Sequence, residues 1–247
     1  MTIHLYTLCW NEMDTLPFII DYWKRFVTHA YVYDNGSTDG SIEYLKQFDW
    51  ITVEHFETNG KNNTVQRDLK NKIWKQSKGK ADFVVVCDID ECLYPKDMGV
   101  FDKMKEGGYT LCAPKWFDFI SEERPIYTEG KLLHEISPMA CKGGSKVVIL
   151  DPDKITDSGL SVGSHKCNAK GAIKYYEGDD MYLLHINHHL SLDYLLERYK
   201  VFNKRLSDED RKKKHGIHYG FSEEKLRSNY TNDLKNSINF NELVSNG

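Results

Sequence analysis

Two aspartates, Asp88 and Asp90, stand two residues apart directly after a continuously apolar run, and Glu91 follows them. Acidic side chains at the end of a buried strand cost free energy unless they are used, because burial disfavours their charged forms. Two such carboxylates can hold a divalent cation, and that cation attracts a pyrophosphate that bare carboxylates would repel. The segment therefore predicts a Mn²⁺ or Mg²⁺ site, and the alternative is a solvated loop that happens to be acidic.

The elements that position these aspartates form a regular alternation of strands and helices in the first half of the chain. Helical spacing of apolar residues follows the first strand, with Asp14 as a candidate N-cap, and recurs after the second and third strands. Such a β-α-β rhythm predicts an α/β fold with a doubly wound, mostly parallel sheet that binds ligands beyond the carboxyl ends of its strands. Strands are predicted at Ile3 to Cys9, Ala30 to Tyr33, Ile51 to His55, Phe83 to Cys87 and Tyr109 to Pro114.

The second half of the chain has a weaker pattern. Residues 120 to 180 are predicted to be irregular, with short strand candidates at Lys146 to Leu150 and, just beyond, Met181 to His185. Helices are predicted at Ser191 to Phe202 and at Ser222 to Asn236. Because no linker or repeat interrupts the chain, we expect a single domain over residues 1–247. Its nucleotide-sugar-binding half would be 1–115, and 116–247 would form an acceptor-side half with C-terminal helices.

The bulk composition limits the function classes. Of the 247 residues, 40% are hydrophobic and 28% charged, and the formal net charge is −4, so general nucleic-acid binding is not expected. The six cysteines form no CxxC pair and predict reduced, mostly buried thiols. No secretory signal and no apolar stretch of about 20 residues is present, which predicts a cytoplasmic protein without a transmembrane segment. The basic run 211–215 predicts a solvated helix face or, alternatively, peripheral contact at the inner face of a membrane.

Several motifs share one order along the chain. They are Asn11-Glu12, the loop Asp34-Asn35-Gly36-Ser37-Thr38-Asp39-Gly40-Ser41, Gln66, Asp88-Ile89-Asp90-Glu91, Trp116, Lys146, Gly163-Ser164-His165 and Asn187-His188-His189-Leu190-Ser191. In this order the chain resembles GT-A-fold glycosyltransferases of the family-2-like kind, in the branch with a DNGSTD loop and a DIDE motif. The resemblance covers about residues 1 to 200. It implies a Rossmann-like GT-A fold and a role in polysaccharide biosynthesis.

The resemblance also implies a substrate and a set of site residues. The donor would be a UDP- or GDP-linked sugar, and the acceptor a glycan or glycolipid. Residues facing the substrates would be Thr7, Asn11, Glu12, Asp34, Gln66, Asp88, Trp116 and Lys146. Metal ligands would be Asp88, Asp90 and a late histidine, with His188 the first choice and His185 the second. Structural roles as turn formers, helix caps or helix surface stay open for Asn11, Asp34, Asp39 and Gln66.

The catalytic base is not marked by a clear motif. Asp118 and His165 are the main candidates, and Glu122 and Glu123 are alternatives. A base must reach the acceptor hydroxyl, so geometry rather than composition decides among them.

Two other functions compete with glycosyl transfer. The run from Val86 to Leu93 also resembles the first motif of haloacid-dehalogenase-type phosphohydrolases, with Asp88 as nucleophile and Asp90 as acid/base. Gly178-Asp179-Asp180 would then supply a later acidic motif. That motif normally ends the first strand of its fold, whereas three β-α units precede it here. The other alternative is a non-catalytic relative that binds sugars or nucleotides, which the retained acidic motif disfavours.

Overall fold

The computed structural model describes residues 1–186 and 190–245, and these contain a large mixed sheet, a second sheet and a set of C-terminal helices. The strands are β1 Ile3–Cys9, β2 His29–Asp34, β3 Ile51–His55, β4 Phe83–Val86, β5 Glu91–Pro95, β6 Leu111–Cys112, β7 Lys115–Phe119, β8 Met139–Ser145, β9 Ile149–Leu150, β10 Ile155–Asp157, β11 Lys170–Gly171, β12 Tyr175–Tyr176, β13 Met181–His185 and β14 Ile238–Asn239. The α-helices are α1 Leu16–Trp23, α2 Ser41–Leu45, α3 Asn63–Ile73, α4 Val100–Glu106, α5 Leu133–Ile136, α6 Leu192–Arg205, α7 Asp208–Lys213, α8 Glu223–Asn236 and α9 Phe240–Ser245.

The large sheet has seven strands in the order β12-β6-β9-β4-β1-β2-β3. β1 pairs in parallel with β2 and β4, and β2 pairs in parallel with β3. β9 runs antiparallel to its neighbours β4 and β6. The predicted α/β fold with a mostly parallel sheet and C-terminal helices is therefore confirmed.

The central strands bury both faces, as their sequences indicate. In β1, Leu5 belongs to the core that contains Trp23 of α1, while Tyr6 belongs to the core on the other face, which contains Trp74. β4 is buried at every position, as expected of a central strand with helices on both sides. This packing fixes the carboxyl ends of β1 and β4 side by side, where the polar motifs begin.

The second sheet is not predicted by the sequence. It has five strands in the order β14-β8-β7-β13-β5, and β5 begins at Glu91, immediately after the two aspartates. β13 joins it by pairing antiparallel with β5 and parallel with β7. Because β5 continues from the Asp88–Glu91 turn, this sheet brings residues of the second half of the chain to the edge where β4 ends.

Several local predictions can be compared directly with the structure. The expected Asp14 cap is wrong: Thr15 precedes α1 without a side-chain cap, and the Asp14 carboxylate lies 2.6 Å from Arg124. All six cysteines are free, and four of them are buried. Within residues 1–186 and 190–245, no helix is long and apolar enough to cross a membrane.

Candidate functional site

A cleft of about 590 Å³ lies beyond the carboxyl ends of β1 and β4, a size typical of small-molecule sites. Its floor is the Asp88–Glu91 turn, and one wall comes from α3 and the segment before it. The second sheet and α6 with the segment after it complete the lining, and Lys61 of the segment before α3 contacts Phe202 of α6. Predicted site residues that line it are Glu12, Gln66, Asp88, Asp90, Trp116, Asp118, Lys146, His165 and His185.

The Asp88 end of the motif is an ionic cluster. Both carboxylate oxygens of Asp88 are paired, one with Lys70 of α3 and the other, at 2.9 Å, with Lys146. Lys146 Nζ also lies 2.6 Å from Glu91, and both lysine side chains are about as buried as Glu91. Burial raises the pKa of Asp88, but the two lysines outweigh it and hold the pKa well below its usual range. Asp88 is thus an ionised carboxylate whose charge is already compensated.

The cluster also shapes the turn that carries it. Glu91 N–H donates to the carbonyl of Asp88 at 3.0 Å, which closes a four-residue turn. In the reverse direction, Asp88 N–H donates to the Glu91 carboxylate at 2.9 Å. This reciprocal pair fixes the direction in which Asp90, between them, leaves the sheet.

Asp90 has a different environment. Its carboxylate lies 3.3 Å from His185 Nε2, and His185 Nδ1 lies 2.7 Å from Asp118 Oδ1. Burial lowers the pKa of His185, but the two flanking carboxylates raise it well above its usual range. A positive charge is therefore strongly favoured between these two aspartates.

Strand register explains why these residues meet. His185 is the last residue of β13, and it is paired in register with Asp118 in parallel β7 and with Glu91 in antiparallel β5. Ile186 N–H also donates to the carbonyl of Asp90 at 2.7 Å, which ties the end of β13 to the turn. Residues far apart in the chain are thus held at one position by backbone pairing.

The Asp90–His185 pair fits a divalent cation better than Asp88 does. Histidines that bind metals commonly hydrogen-bond a carboxylate through their other ring nitrogen, as His185 does with Asp118. In the part of the chain that the structure describes, no three His, Cys, Asp or Glu side chains form a metal-binding group. Mg²⁺ sites often use one or two carboxylates and complete their coordination with substrate phosphates and water. Asp90 is such a carboxylate, and a cation that displaces the proton from His185 Nε2 would gain the imidazole as a second ligand.

A third region of the cleft is built by α6. Arg198 pairs with Glu12, which follows β1, and also donates to the carbonyl of Asn11 at 2.7 Å. Burial raises the pKa of Glu12 to about 8, although Arg198 opposes that shift. Arg205, about two turns further along, lies 3.4 Å from the ring centre of Trp10. The loop after β1 is therefore held against α6 on the cleft side.

Two cations of the cleft were not predicted from the sequence. Lys61 Nζ donates to the hydroxyl of Tyr219 at 3.0 Å and lies 4.4 Å from the ring centre of Phe202. Arg205 donates to the side chain of Asn35 at 2.9 Å. No carboxylate of residues 1–186 or 190–245 forms an ion pair with either one. Burial lowers the pKa of Lys61, but Tyr219 and the field of the two motif aspartates raise it overall.

His165 and Trp116 also line the cleft. The two rings are in contact, with centroids 5.4 Å apart. Part of the His165 side chain is exposed to solvent. The cleft walls desolvate the rest of its ring, and this desolvation together with nearby Lys146 lowers the pKa of His165. Its imidazole is therefore neutral at pH 7. Asp118, the other candidate base, already accepts from His185 and, at 3.1 Å, from Trp116 Nε1.

Three predicted substrate-binding residues lie beside the cleft rather than in its lining. Thr7 is fully buried within β1. Asp34 closes its own loop by accepting from Ser37 N–H at 3.0 Å, and Asn11 accepts from Thr38 N–H at 2.8 Å. The contact of Asp34 matches its turn-forming alternative. The alternative of Asn11 as a cap of the first helix is wrong, because Thr15 precedes α1 and the Asn11 side chain instead joins the loops after β1 and β2.

The remaining predicted residues fall elsewhere. Glu122 and Glu123 are exposed just after β7 and do not line the described part of the cleft. His188, the first choice for a late metal ligand, lies outside the described residues, as does His189. Of the predicted late histidines, His185 is therefore the one that the structure places beside Asp90.

Comparisons with known proteins give only distant similarities. No protein-family model matches the chain, and no curated protein matches it. Among solved structures it is similar to a mycobacterial protein at 20% identity and a TM-score of 0.31, over 47% of this chain and 41% of that one. It is also similar to A197 from STIV at 12% identity and a TM-score of 0.39, over 76% of this chain and 87% of that one. A third similar structure is 4-diphosphocytidyl-2C-methyl-D-erythritol synthase, at 10% identity and a TM-score of 0.37, over 62% of this chain and 76% of that one. The chain thus spans less than half of the first of these proteins, and at these TM-scores the similarities assign neither family nor activity.

Proposed function

We propose that the protein is a metal-dependent glycosyltransferase that moves a sugar from a UDP- or GDP-linked donor to a glycan or glycolipid acceptor. The observation that carries the proposal is the Asp90–His185 pair, which faces a cleft whose lining includes two cations without a carboxylate partner among the described residues, Lys61 and Arg205. Such an arrangement suits a ligand with a metal-bound diphosphate. The order of motifs in the sequence supports the same function.

In this proposal Asp90 and His185 hold Mn²⁺ or Mg²⁺, and Asp118 orients His185. A divalent cation bound there would supply positive charge that stabilises the departing nucleoside diphosphate. Lys61 also lines the cleft, and its ammonium group would bind the same diphosphate. Asp88 would order the turn through its two lysines rather than ligate the metal.

His165 is our proposed general base. It is neutral at pH 7, it is exposed in the cleft, and it lies against Trp116. The acceptor hydroxyl would attack the anomeric carbon of the donor as the bond from that carbon to the diphosphate breaks. His165 would take the hydroxyl proton. Asp118 is less suited to that task because its oxygens already accept from Trp116 and His185.

The segment after α6 would lie near the acceptor. Lys214 lines the cleft, and Lys212 and Lys213 beside it are exposed. Lys213 is paired with Glu209 at 2.5 Å, so part of the basic charge is compensated within α7. Membrane contact through this run would therefore be weak and electrostatic, and it would bring the cleft close to a glycolipid acceptor.

The phosphohydrolase alternative is not supported. The motif follows the fourth strand, and β1 to β3 with their helices precede it. Asp88, which would be the nucleophile, has both oxygens paired with lysines. Asp90, which would be the acid/base, faces His185 instead.

The proposed function is tested by donor turnover without an acceptor. With Mn²⁺ and a panel of UDP- and GDP-sugars, the protein should slowly release nucleoside diphosphate as water replaces the acceptor. It should not hydrolyse aryl phosphates. Robust aryl-phosphate hydrolysis that is lost in Asp88→Asn, with no turnover of any nucleotide sugar, would overturn the proposal.

A further inference from the structure

The side chain of Trp116 occupies an unusual notch in the second sheet. β7 pairs with β8 so that Lys115 is opposite Ser145 and Phe117 is opposite Lys142, with a register irregularity between the two pairs. Two glycines, Gly143 and Gly144, therefore stand opposite the single residue Trp116. This is the arrangement of a β-bulge, which commonly re-aims a side chain near an active site.

The notch fits the indole only because Gly143 has no side chain. A Cβ at Gly143 would lie 1.6 Å from Trp116 Nε1, which no packing adjustment short of moving the indole could relieve. A Cβ at Gly144 would lie 3.5 Å from the same ring, an ordinary van der Waals distance. Since both glycines are exposed, the close approach at Gly143 is not needed to fill a core.

The notch aims the indole N–H at Asp118. Trp116 and Asp118 are two residues apart in β7, so their side chains lie on the same face of the strand. Trp116 Nε1 donates to Asp118 Oδ2 at 3.1 Å, while Asp118 Oδ1 lies 2.7 Å from His185 Nδ1. The Asp118 carboxylate is thus held at both oxygens, and its direction determines how His185 faces Asp90.

We infer that Trp116 is a positioning residue for the metal-binding pair, acting through Asp118 and His185 rather than by touching the metal. This inference rests on the proposed function. It differs from the substrate-binding role that the sequence suggests for Trp116, because the effect is expected without any sugar or nucleotide present. A single hydrogen bond to a carboxylate is involved, so the expected change is smaller than that from loss of a ligand.

The test is titration calorimetry with Mn²⁺ alone. Trp116→Phe keeps a ring but removes the N–H, and it should weaken Mn²⁺ affinity by about 5- to 10-fold. Gly143→Ala should have a similar effect by displacing the indole. The matched control Gly144→Ala should stay within about twofold, since its Cβ has room. Melting temperatures would show that each variant is folded, and Trp116→Phe suffices if Gly143→Ala does not fold.

A double-mutant cycle separates positioning from a general packing effect. In a His185→Ala background, Trp116→Phe should cause little further loss of Mn²⁺ affinity, because its effect passes through His185. Unchanged affinity in Trp116→Phe, or losses that add fully with those of His185→Ala, would overturn the inference while leaving the proposed function intact. Absence of Mn²⁺ binding by the wild-type protein would overturn both.

Discussion

The two ends of one short motif have opposite electrostatic environments. Asp88 lies between two buried lysines, one of which also binds buried Glu91, so positive and negative charges balance within the cluster. Asp90, two residues later, faces a histidine whose other nitrogen meets a second carboxylate. Among the described residues, the Asp90 end thus places two carboxylates around one imidazole.

This difference shows how a fold can assign separate tasks to neighbouring identical side chains. A balanced, buried ionic cluster resists change, because removing any member leaves an uncompensated charge. A pair of carboxylates around an imidazole instead favours an added cation. We therefore expect the Asp88 end to determine stability and the Asp90 end to determine metal binding.

The largest effect on stability should come from Lys146→Met. The change leaves buried Glu91 without its ammonium partner and removes one of the two partners of Asp88, so we expect a loss of about 3 kcal/mol in the free energy of unfolding. Denaturant titration would measure it. Lys115→Met is the matched control, since its pair with Asp179 is exposed and its loss should change the free energy of unfolding much less. Equal, small losses in both variants would remove the distinction between the two ends of the motif.

Loss of His185 should affect the Asp90 end of the motif. His185→Ala is expected to weaken Mn²⁺ affinity by about 10- to 100-fold, the usual cost of disturbing a metal's surroundings. His165→Ala is the control. His165 lines the same cleft, and its loss should leave Mn²⁺ affinity unchanged while lowering turnover. If both variants bind Mn²⁺ as the wild type does, His185 has only a structural role.

A smaller effect on ligand binding is expected from loss of Lys61, one of the cations that line the cleft. Lys61→Met should weaken binding of UDP or GDP in Mn²⁺ by about tenfold, since a charge-assisted contact to phosphate is lost. Lys75→Met, which removes a lysine paired with Asp157 on the surface, serves as the control. Nucleotide affinity that falls equally in both variants would indicate a long-range charge effect rather than a contact.

The sequence predicts much of the first half of the fold because its information is local. β1 and β3 have the predicted bounds, since each is rich in strand-forming residues. The second sheet escapes prediction because β8 contains Lys142-Gly143-Gly144-Ser145, which lacks strand formers. β8 forms by pairing with β7, and a long connection over residues 120–138 separates the two strands in the chain.

The candidate site likewise has one part that the sequence predicts and another that depends on long-range pairing. The aspartate motif is visible as acids after a buried strand, and the importance of His185 followed only from the resemblance to a family. The pairing of His185 with Asp118 depends on strand register between distant segments. Lys61 could not be predicted because its place in the cleft depends on Tyr219 and Phe202 packing around it.

The central claim is that Asp90, and not Asp88, holds the metal that binds the donor diphosphate. Titration calorimetry of Asp90→Asn and Asp88→Asn with UDP and GDP, each with and without Mn²⁺, tests it most directly, with circular dichroism to show that both variants are folded. We predict that Asp90→Asn abolishes the Mn²⁺-dependent part of nucleotide binding, whereas Asp88→Asn retains it. Unchanged Mn²⁺-dependent binding in Asp90→Asn, or its complete loss in Asp88→Asn alone, would contradict the account.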